Sequence, residues 1–125
     1  MTQKILIVDD EAHLRYLVEQ CLEDLEDEGV DLLQAKDGEE ALECAKTEHP
    51  NLIFMDVMMP KLNGLDACRH IKKEWGMNCK VIIVTAKGQI LEECEKAEIG
   101  ADHLMSKPFD PADLLNIARE ALEMN

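Results

Sequence analysis

The sequence predicts an α/β fold in which an open, parallel, five-stranded sheet is covered by helices on both faces. Short apolar runs recur along the chain, and they are continuous rather than alternating, which is typical of strands buried on both faces. Between these runs the apolar residues change to the spacing of helices. Strand and helix alternate five times, and this alternation favours right-handed crossovers within one parallel sheet.

Five strands are predicted from runs rich in β-branched and other apolar residues. They are Lys4–Val8, Val30–Ala35, Asn51–Met55, Lys80–Val84 and, more weakly, Asp102–Ser106. For five such units the commonest strand order is the flavodoxin-like order 2-1-3-4-5, in which ligands bind beyond the carboxyl ends of strands 1 and 3. We therefore predict a flavodoxin-like (βα)5 doubly wound sheet, with residues 1–125 forming one domain.

Five helices are predicted between and after these strands, each from a periodic apolar face and from residues that start or stop helices. The first helix is the clearest. Gly29 ends the first helix, and Asp37 and Asn63 cap the second and third. The fourth contains Leu91 and Cys94 and ends at Gly100, and the fifth begins with Asp110 and Pro111.

Composition excludes several classes of function. Thirteen Lys and Arg residues against 27 Asp and Glu residues give a net charge of −14, which opposes binding to nucleic acid or anionic lipid. The apolar runs are far shorter than the ~20 residues of a membrane span, and the N-terminus lacks the apolar region of a signal peptide, so we expect a cytoplasmic protein. The five Cys and four His residues show no metal-ligand or redox spacing, and none is assigned a role.

Polar residues follow four of the five predicted strands, and in the order 2-1-3-4-5 these four strands are neighbours. They are Asp9, Asp10 and Glu11 after strand 1, Asp56 after strand 3, Thr85 after strand 4, and Ser106 and Lys107 after strand 5. Each has a bland explanation when taken singly, such as a helix start for the first acids or a solvated lysine for the last. Their joint placement favours a single polar crevice.

Three carboxylates within about 5 Å of one another repel by roughly 3 kcal/mol per pair, so such a cluster requires protons or a cation. Oxygen ligands select Mg²⁺, Mn²⁺ or Ca²⁺, and two or three carboxylates are too few for a calcium cage but suit Mg²⁺, with Mn²⁺ as an alternative. A carboxylate beside a hard cation, a lysine and a hydroxyl is suited to phosphoryl transfer onto aspartate.

The segments IVDDE, DVMMPKLNG, VTA and SKPF resemble the four signatures of response-regulator receiver domains, and the resemblance covers essentially all 125 residues. It implies that Asp56 is the phosphoacceptor. It further implies that Asp10, Asp56 and the backbone carbonyl of Met58 ligate Mg²⁺, with Asp9 holding the ion through water.

The same resemblance implies a cradle for the phosphoryl group. Its members would be the side chains of Thr85 and Lys107 and the backbone amides of Met58 and Ala86. The Lys107–Pro108 bond would be the family's cis peptide. Because the apolar Met58 and the cationic Lys87 flank the path of the attacking water, we expect slow hydrolysis of the phosphoaspartate.

A receiver of this kind is phosphorylated by a histidine kinase or phosphotransfer protein and signals to a downstream protein or effector domain. It is a switch that assists its own phosphorylation and dephosphorylation, and its output face is built from the fourth helix, fifth strand and fifth helix. Leu104 stands where the family commonly has Tyr or Phe, so we expect coupling mainly through residues 85–89. Because Arg119 is the only base in the predicted fifth helix, we expect a monomer or weak dimer. Because no effector sequence follows Asn125, we expect either a stand-alone regulator or a receiver cut from a longer protein.

Three alternative functions agree less well with the sequence. An aspartyl-phosphate phosphatase or phosphotransferase uses similar groups, but that class carries its nucleophile in a D-x-D motif after the first strand. A degenerate receiver without phosphorylation conflicts with the intact set of acids, hydroxyl and lysine. A dinucleotide-binding domain requires a G-x-G-x-x-G motif after strand 1, which is missing.

Overall fold

Five parallel strands form the sheet of this protein, seen in a computed structural model that describes residues 2–59, 61–86 and 99–123. The strands are β1 (Lys4–Val8), β2 (Asp31–Ala35), β3 (Leu52–Asp56), β4 (Lys80–Thr85) and β5 (His103–Ser106). Their order is β2-β1-β3-β4-β5, and every neighbouring pair is parallel. The predicted flavodoxin-like fold and strand order are confirmed.

β1 has the predicted bounds, whereas each of the other four strands differs from its prediction by one residue at one or both ends, and the difference matters at two of them. β3 includes Asp56, which pairs with Val84 of β4, and β4 continues to Thr85, which pairs with Ser106 of β5. The ladder extends because each polar residue still has a backbone partner on the neighbouring strand. Asp56 and Thr85 are therefore held by the sheet itself.

The described helices are α1 (Ala12–Cys21), α2 (Glu23–Asp27), α3 (Gly38–Glu48), α4 (Gly64–Arg69) and α5 (Pro111–Ala121), with a π-helical turn, His70–Glu74, after α4. All three predicted caps are confirmed, because the side chains of Asp37, Asn63 and Asp110 each accept a backbone N–H from the first turn. None of the described helices is long and apolar enough to cross a membrane.

The first predicted helix is divided at Leu22 into α1 and α2, which the apolar period did not predict. The residues that follow include five carboxylates, and acidic side chains are unfavourable at the C-terminal end of a helix. The division places Glu23, Asp24 and Glu26 in the first turn of a new helix, where the dipole favours them. The predicted fourth helix, with Leu91 and Cys94, lies outside the described residues.

Apolar side chains pack on both faces of the sheet, as predicted for strands of this type. One core cluster joins alternate residues of the central strands, such as Leu6 and Ile53, to α3 and α4. The other joins the intervening residues, such as Ile7 and Phe54, to α1, α2 and α5. The central strands are thereby fixed between two helical layers, and their carboxyl ends form a rigid platform.

Candidate functional site

Three aspartates meet at the carboxyl edge of the sheet. Asp9 and Asp10 follow β1 and Asp56 ends β3, and one carboxylate oxygen from each lies within 4.8 Å of the other two. Asp9 and Asp56 are only 6% and 8% exposed, whereas Asp10 is exposed. The strand order thus brings together the carboxylates that the sequence placed at neighbouring strand ends.

Lys107 joins two of these aspartates. Its Nζ donates a hydrogen bond of 2.9 Å to Asp9 Oδ2 and one of 3.2 Å to Asp56 Oδ1. Its backbone N–H donates to the carbonyl of Thr85 at 2.7 Å, which ties the end of β5 to the end of β4. The Lys107–Pro108 peptide bond is cis, as the resemblance implied.

The other residues of the predicted cradle surround this centre. Thr85 is buried at the end of β4, and Ala86 follows it at the surface. Met58 lies two residues after Asp56 and is 62% exposed. These positions are compatible with the implied roles in phosphoryl binding, and those roles stay predictions.

The turn after β1 is built around Asp9 rather than as a helix cap. Asp9 Oδ1 accepts the backbone N–H of Glu11 at 3.0 Å, and Glu11, the residue before α1, makes no side-chain capping bond. The backbone carbonyl of Asp9 accepts a hydrogen bond of 2.6 Å from Nη1 of Arg15 on α1. The sequence assigned Arg15 no role, because its spacing of four residues from Glu11 predicts at most a side-chain ion pair and not a bond to a carbonyl.

Gly64, the first residue of α4, packs against the backbone of Asp56. Its N–H donates to the carbonyl of Val57 at 3.0 Å, and a Cβ at position 64 would lie 1.9 Å from the carbonyl oxygen of Asp56. Only glycine fits there without a shift of the backbone. Gly64 ended one of the quoted signatures, but its packing role could be found only in three dimensions.

The pKa values of Asp56 and Lys107 are both raised, but for different reasons. Burial raises the pKa of Asp56, and the nearby carboxylates of Asp9 and Asp10 add to this effect, while Lys107 opposes it. Burial alone would lower the pKa of Lys107, but its hydrogen bond to Asp9 and the charge of Asp56 outweigh burial and raise the pKa. The site therefore holds a fixed cation beside a carboxylate that lacks sufficient counter-charge.

We expect Asp56→Asn to raise the thermal midpoint of the metal-free protein at neutral pH. The pKa of Asp56 in the folded state lies above its unfolded value of about 3.9, so ionisation of Asp56 lowers stability as pH rises through that window. Asparagine removes this buried charge, while Lys107 keeps its bond to Asp9. The advantage should vanish in acid, below the unfolded pKa. Thermal unfolding followed by circular dichroism at a series of pH values measures the difference in thermal midpoint. A variant less stable than the wild type at neutral pH would contradict the prediction.

The donor set of the cluster fits a hard divalent cation. Three carboxylates are oxygen donors of the kind that Mg²⁺ prefers, and they outnumber the ammonium group of Lys107, which contacts two of them. Repulsion among them amounts to roughly 3 kcal/mol per pair at an effective dielectric constant near 20. A divalent ion would relieve it.

Comparisons with known proteins agree with this geometry. A family model described as the response regulator receiver domain matches residues 5–119. The probable transcriptional regulator ycf27 of Porphyridium aerugineum is 42% identical over 112 residues, which are 90% of this chain and 45% of that protein. The alkaline phosphatase synthesis transcriptional regulatory protein PhoP of Bacillus subtilis is 41% identical over 114 residues, which are 91% of this chain and 46% of that protein.

A solved structure shows the same likeness. A response regulator receiver domain protein, described as CheY-like, from Methanospirillum hungatei superimposes with a TM-score of 0.86 at 29% identity, covering 98% of this chain and 95% of that one. The chain spans about half the length of the curated relatives it matches. Phosphorylation on an aspartate is the general mechanism of proteins that match this family model, and a buried aspartate ends β3 here. The match over nearly the whole chain, together with this fold, shows that the protein belongs to the response regulator receiver family.

Proposed function

We propose that Asp56 accepts a phosphoryl group from the phosphohistidine of a histidine kinase or phosphotransfer protein. The observation that carries this proposal is the contact of Lys107 with both Asp9 and Asp56 in a cluster where three carboxylate oxygens lie within 4.8 Å. Asp56 ends the central strand β3, so the sheet fixes its position. A fixed carboxylate beside a half-buried cation suits nucleophilic attack on phosphorus.

The transfer exchanges one bond to phosphorus for another. A carboxylate oxygen of Asp56 forms the new P–O bond while the P–N bond to the imidazole breaks and its electron pair stays on the ring nitrogen. Lys107 offsets the charge on the phosphoryl oxygens, since its Nζ already lies 3.2 Å from Asp56. The buried Thr85 would add a hydroxyl contact from the end of β4.

Mg²⁺ would be held by Asp10, Asp56 and the backbone carbonyl of Met58, and by Asp9 through water. Mn²⁺ is the alternative ion. When bound, the ion supplies positive charge where the carboxylates and phosphoryl oxygens accumulate negative charge. The hard oxygen donors and their excess of negative charge support this assignment.

The phosphorylated product passes its signal to a downstream protein or to an effector domain. The phosphoryl group adds about 1.5 to 2 negative charges at the sheet edge, which would draw in the Thr85 hydroxyl and bias the output face of the predicted fourth helix, β5 and α5. The relatives named above are transcriptional regulators about twice as long as this chain, which supports an effector outside the receiver. On this view the receiver is a switch that assists its own phosphorylation and dephosphorylation.

Two contacts bear on the output face. Leu104 is half-buried and packs against the core cluster that contains Leu6 and Ile83, so a leucine fills the position where the family commonly has an aromatic residue. Arg119 of α5 makes two hydrogen bonds to Glu28, at 3.2 and 2.6 Å. This use of Arg119 within the chain supports a monomer or weak dimer. Lys87 and Gln89 lie outside the described residues.

Acetyl phosphate with Mg²⁺ tests the proposed function directly. We expect intact-mass spectrometry to show one added phosphoryl group when Mg²⁺ is present and none when the metal is removed with EDTA, because the uncompensated carboxylates repel an anionic donor. Restoring Mg²⁺ should restore the modification. An unchanged mass in the presence of bound Mg²⁺ would contradict the proposal.

Hydrolysis of the phosphoaspartate should be severalfold faster in Met58→Asn than in the wild type. Met58 is exposed beside Asp56 and its thioether orients water poorly, whereas an asparagine amide can donate and accept hydrogen bonds. Decay of the phosphorylated protein by mass spectrometry measures the rate. The matched control is Met58→Leu, which should decay like the wild type, and equal rates in all three proteins would show that this side chain does not affect the water.

A further inference from the structure

Arg15 lies on α1, which follows the turn that carries Asp9 and Asp10, and its guanidinium donates to two acceptors. Nη1 donates to the backbone carbonyl of Asp9 at 2.6 Å, and Nε donates to Gln34 Oε1 at 3.0 Å. Gln34 belongs to β2 and its amide nitrogen donates in turn to Glu19 of α1. The turn after β1 is therefore anchored through one guanidinium to both a helix and the edge strand.

The anchored carbonyl belongs to the peptide group that joins Asp9 to Asp10. Fixing the plane of that peptide fixes the Cα atom of Asp10 and thereby limits the positions that its carboxylate can reach. Asp9 itself is already held through both side-chain oxygens, by Lys107 and by the N–H of Glu11. The exposed Asp10 has the carboxylate that gains most from a fixed backbone.

We propose that Arg15 is a positioning residue that holds the Asp9–Asp10 turn in the arrangement that binds the metal. This inference rests on the proposed function. Without a bound cation the three carboxylates repel one another. If the turn were not held by Arg15, it would relax by moving Asp10 away from the other two carboxylates. The guanidinium of Arg15 opposes that movement in two ways. Its hydrogen bond to the carbonyl is charge-assisted and therefore stronger than a neutral one, and its planar donors reach two acceptors at once.

A positioning role and a purely electrostatic role of Arg15 predict opposite changes in the affinity for a divalent cation when Arg15 is replaced. If the guanidinium acted only as a nearby positive charge, Arg15→Ala would increase the affinity for a divalent cation, because a repulsive charge would be gone. If it holds the turn, the same substitution lowers the affinity, by about tenfold for a residue that orients metal ligands. Arg15→Lys keeps the charge but loses the planar guanidinium, so its affinity should lie between those of the wild type and Arg15→Ala.

The test is the affinity for Mg²⁺ alone, measured by calorimetry on wild type, Arg15→Ala and Arg15→Lys. Arg119→Ala is the matched control, because it removes another arginine that contacts its partner through two nitrogens, yet on α5. We expect Arg119→Ala to keep wild-type affinity. In the metal-free proteins, hydrogen exchange of the Glu11 amide should be faster in Arg15→Ala than in the control, since that amide donates to Asp9 in the same turn.

The outcomes separate this inference from the proposed function. Wild-type protein that binds no Mg²⁺ overturns both. Wild-type protein that binds Mg²⁺ together with an Arg15→Ala variant of equal or higher affinity overturns the positioning role alone. If Arg15→Ala does not fold, as judged by thermal unfolding, Arg15→Lys decides: reduced affinity supports the role, and wild-type affinity overturns it.

Discussion

We expect Asp56→Asn to gain no phosphoryl group from acetyl phosphate and Mg²⁺ under conditions that fully modify the wild type. Three carboxylates share the site, but Asp9 uses its two oxygens in bonds to Lys107 and to the backbone of Glu11. Burial raises the pKa of Asp56, so its carboxylate, once ionised, is more basic than an ordinary aspartate. An asparagine amide oxygen is neutral and far less nucleophilic, and the loss should be complete.

Asp66→Asn is the matched control, because Asp66 is an exposed carboxylate of α4 that pairs with Arg69 on the surface. It should be modified to the same extent as the wild type. The added group should also be removed by hydroxylamine, which cleaves acyl phosphates and spares phosphoserine and phosphothreonine. Modification of Asp56→Asn to the wild-type extent, or a phosphopeptide that maps elsewhere in the wild type, would contradict the assignment.

The sheet and the core of the site could be predicted because both depend on local signals. A continuous apolar run followed by an acid, a hydroxyl or a lysine marks a strand and its carboxyl end, and the strand order then decides which ends meet. Lys107 is 51 residues from Asp56 and 98 residues from Asp9 in the chain, yet all three lie at one edge for this reason.

The division of the first helix and the π-helical turn after α4 could not be predicted, because neither follows from the apolar period. Leu22 and Leu25 are both fully buried, as one continuous helix would also require. In the π-helical turn, Lys72 reaches the carbonyl of Cys79 at 2.6 Å and Asp102 at 3.0 Å. Contacts across thirty residues of sequence decide this geometry.

Supporting residues of the site were missed for a similar reason. Arg15 contacts the backbone of Asp9 rather than a side chain, and no motif of residue types records a bond to a carbonyl. Gly64 has no side chain at all, and its importance is the space that it leaves beside Asp56. Sequence patterns identify groups that carry charge, whereas these two residues act through the backbone of their neighbours.

Gly64→Ala should destabilise the protein by roughly 3 kcal/mol, although helix propensity alone predicts a gain of up to about 1 kcal/mol from alanine in a helix. A Cβ at this position would lie 1.9 Å from the carbonyl oxygen of Asp56 and 2.9 Å from the side chain of Met55. The carbonyl of Asp56 belongs to the backbone and cannot rotate away from the added Cβ as a flexible side chain could. The start of α4 must therefore move away from the end of β3. The same movement displaces Asp56, and phosphorylation should slow as well.

Gly76→Ala is the control for this prediction, because Gly76 has a φ of +60° with nothing within 4 Å of the added Cβ. Its cost comes from backbone conformation alone and should be about 1 kcal/mol. Chemical denaturation of the two variants and the wild type measures both effects, and the rate of acetyl phosphate labelling should fall only in Gly64→Ala. A Gly64→Ala variant as stable as the wild type would mean that the contact between α4 and Asp56 relaxes freely. The close packing of that helix start would then not be what holds the phosphoacceptor in place.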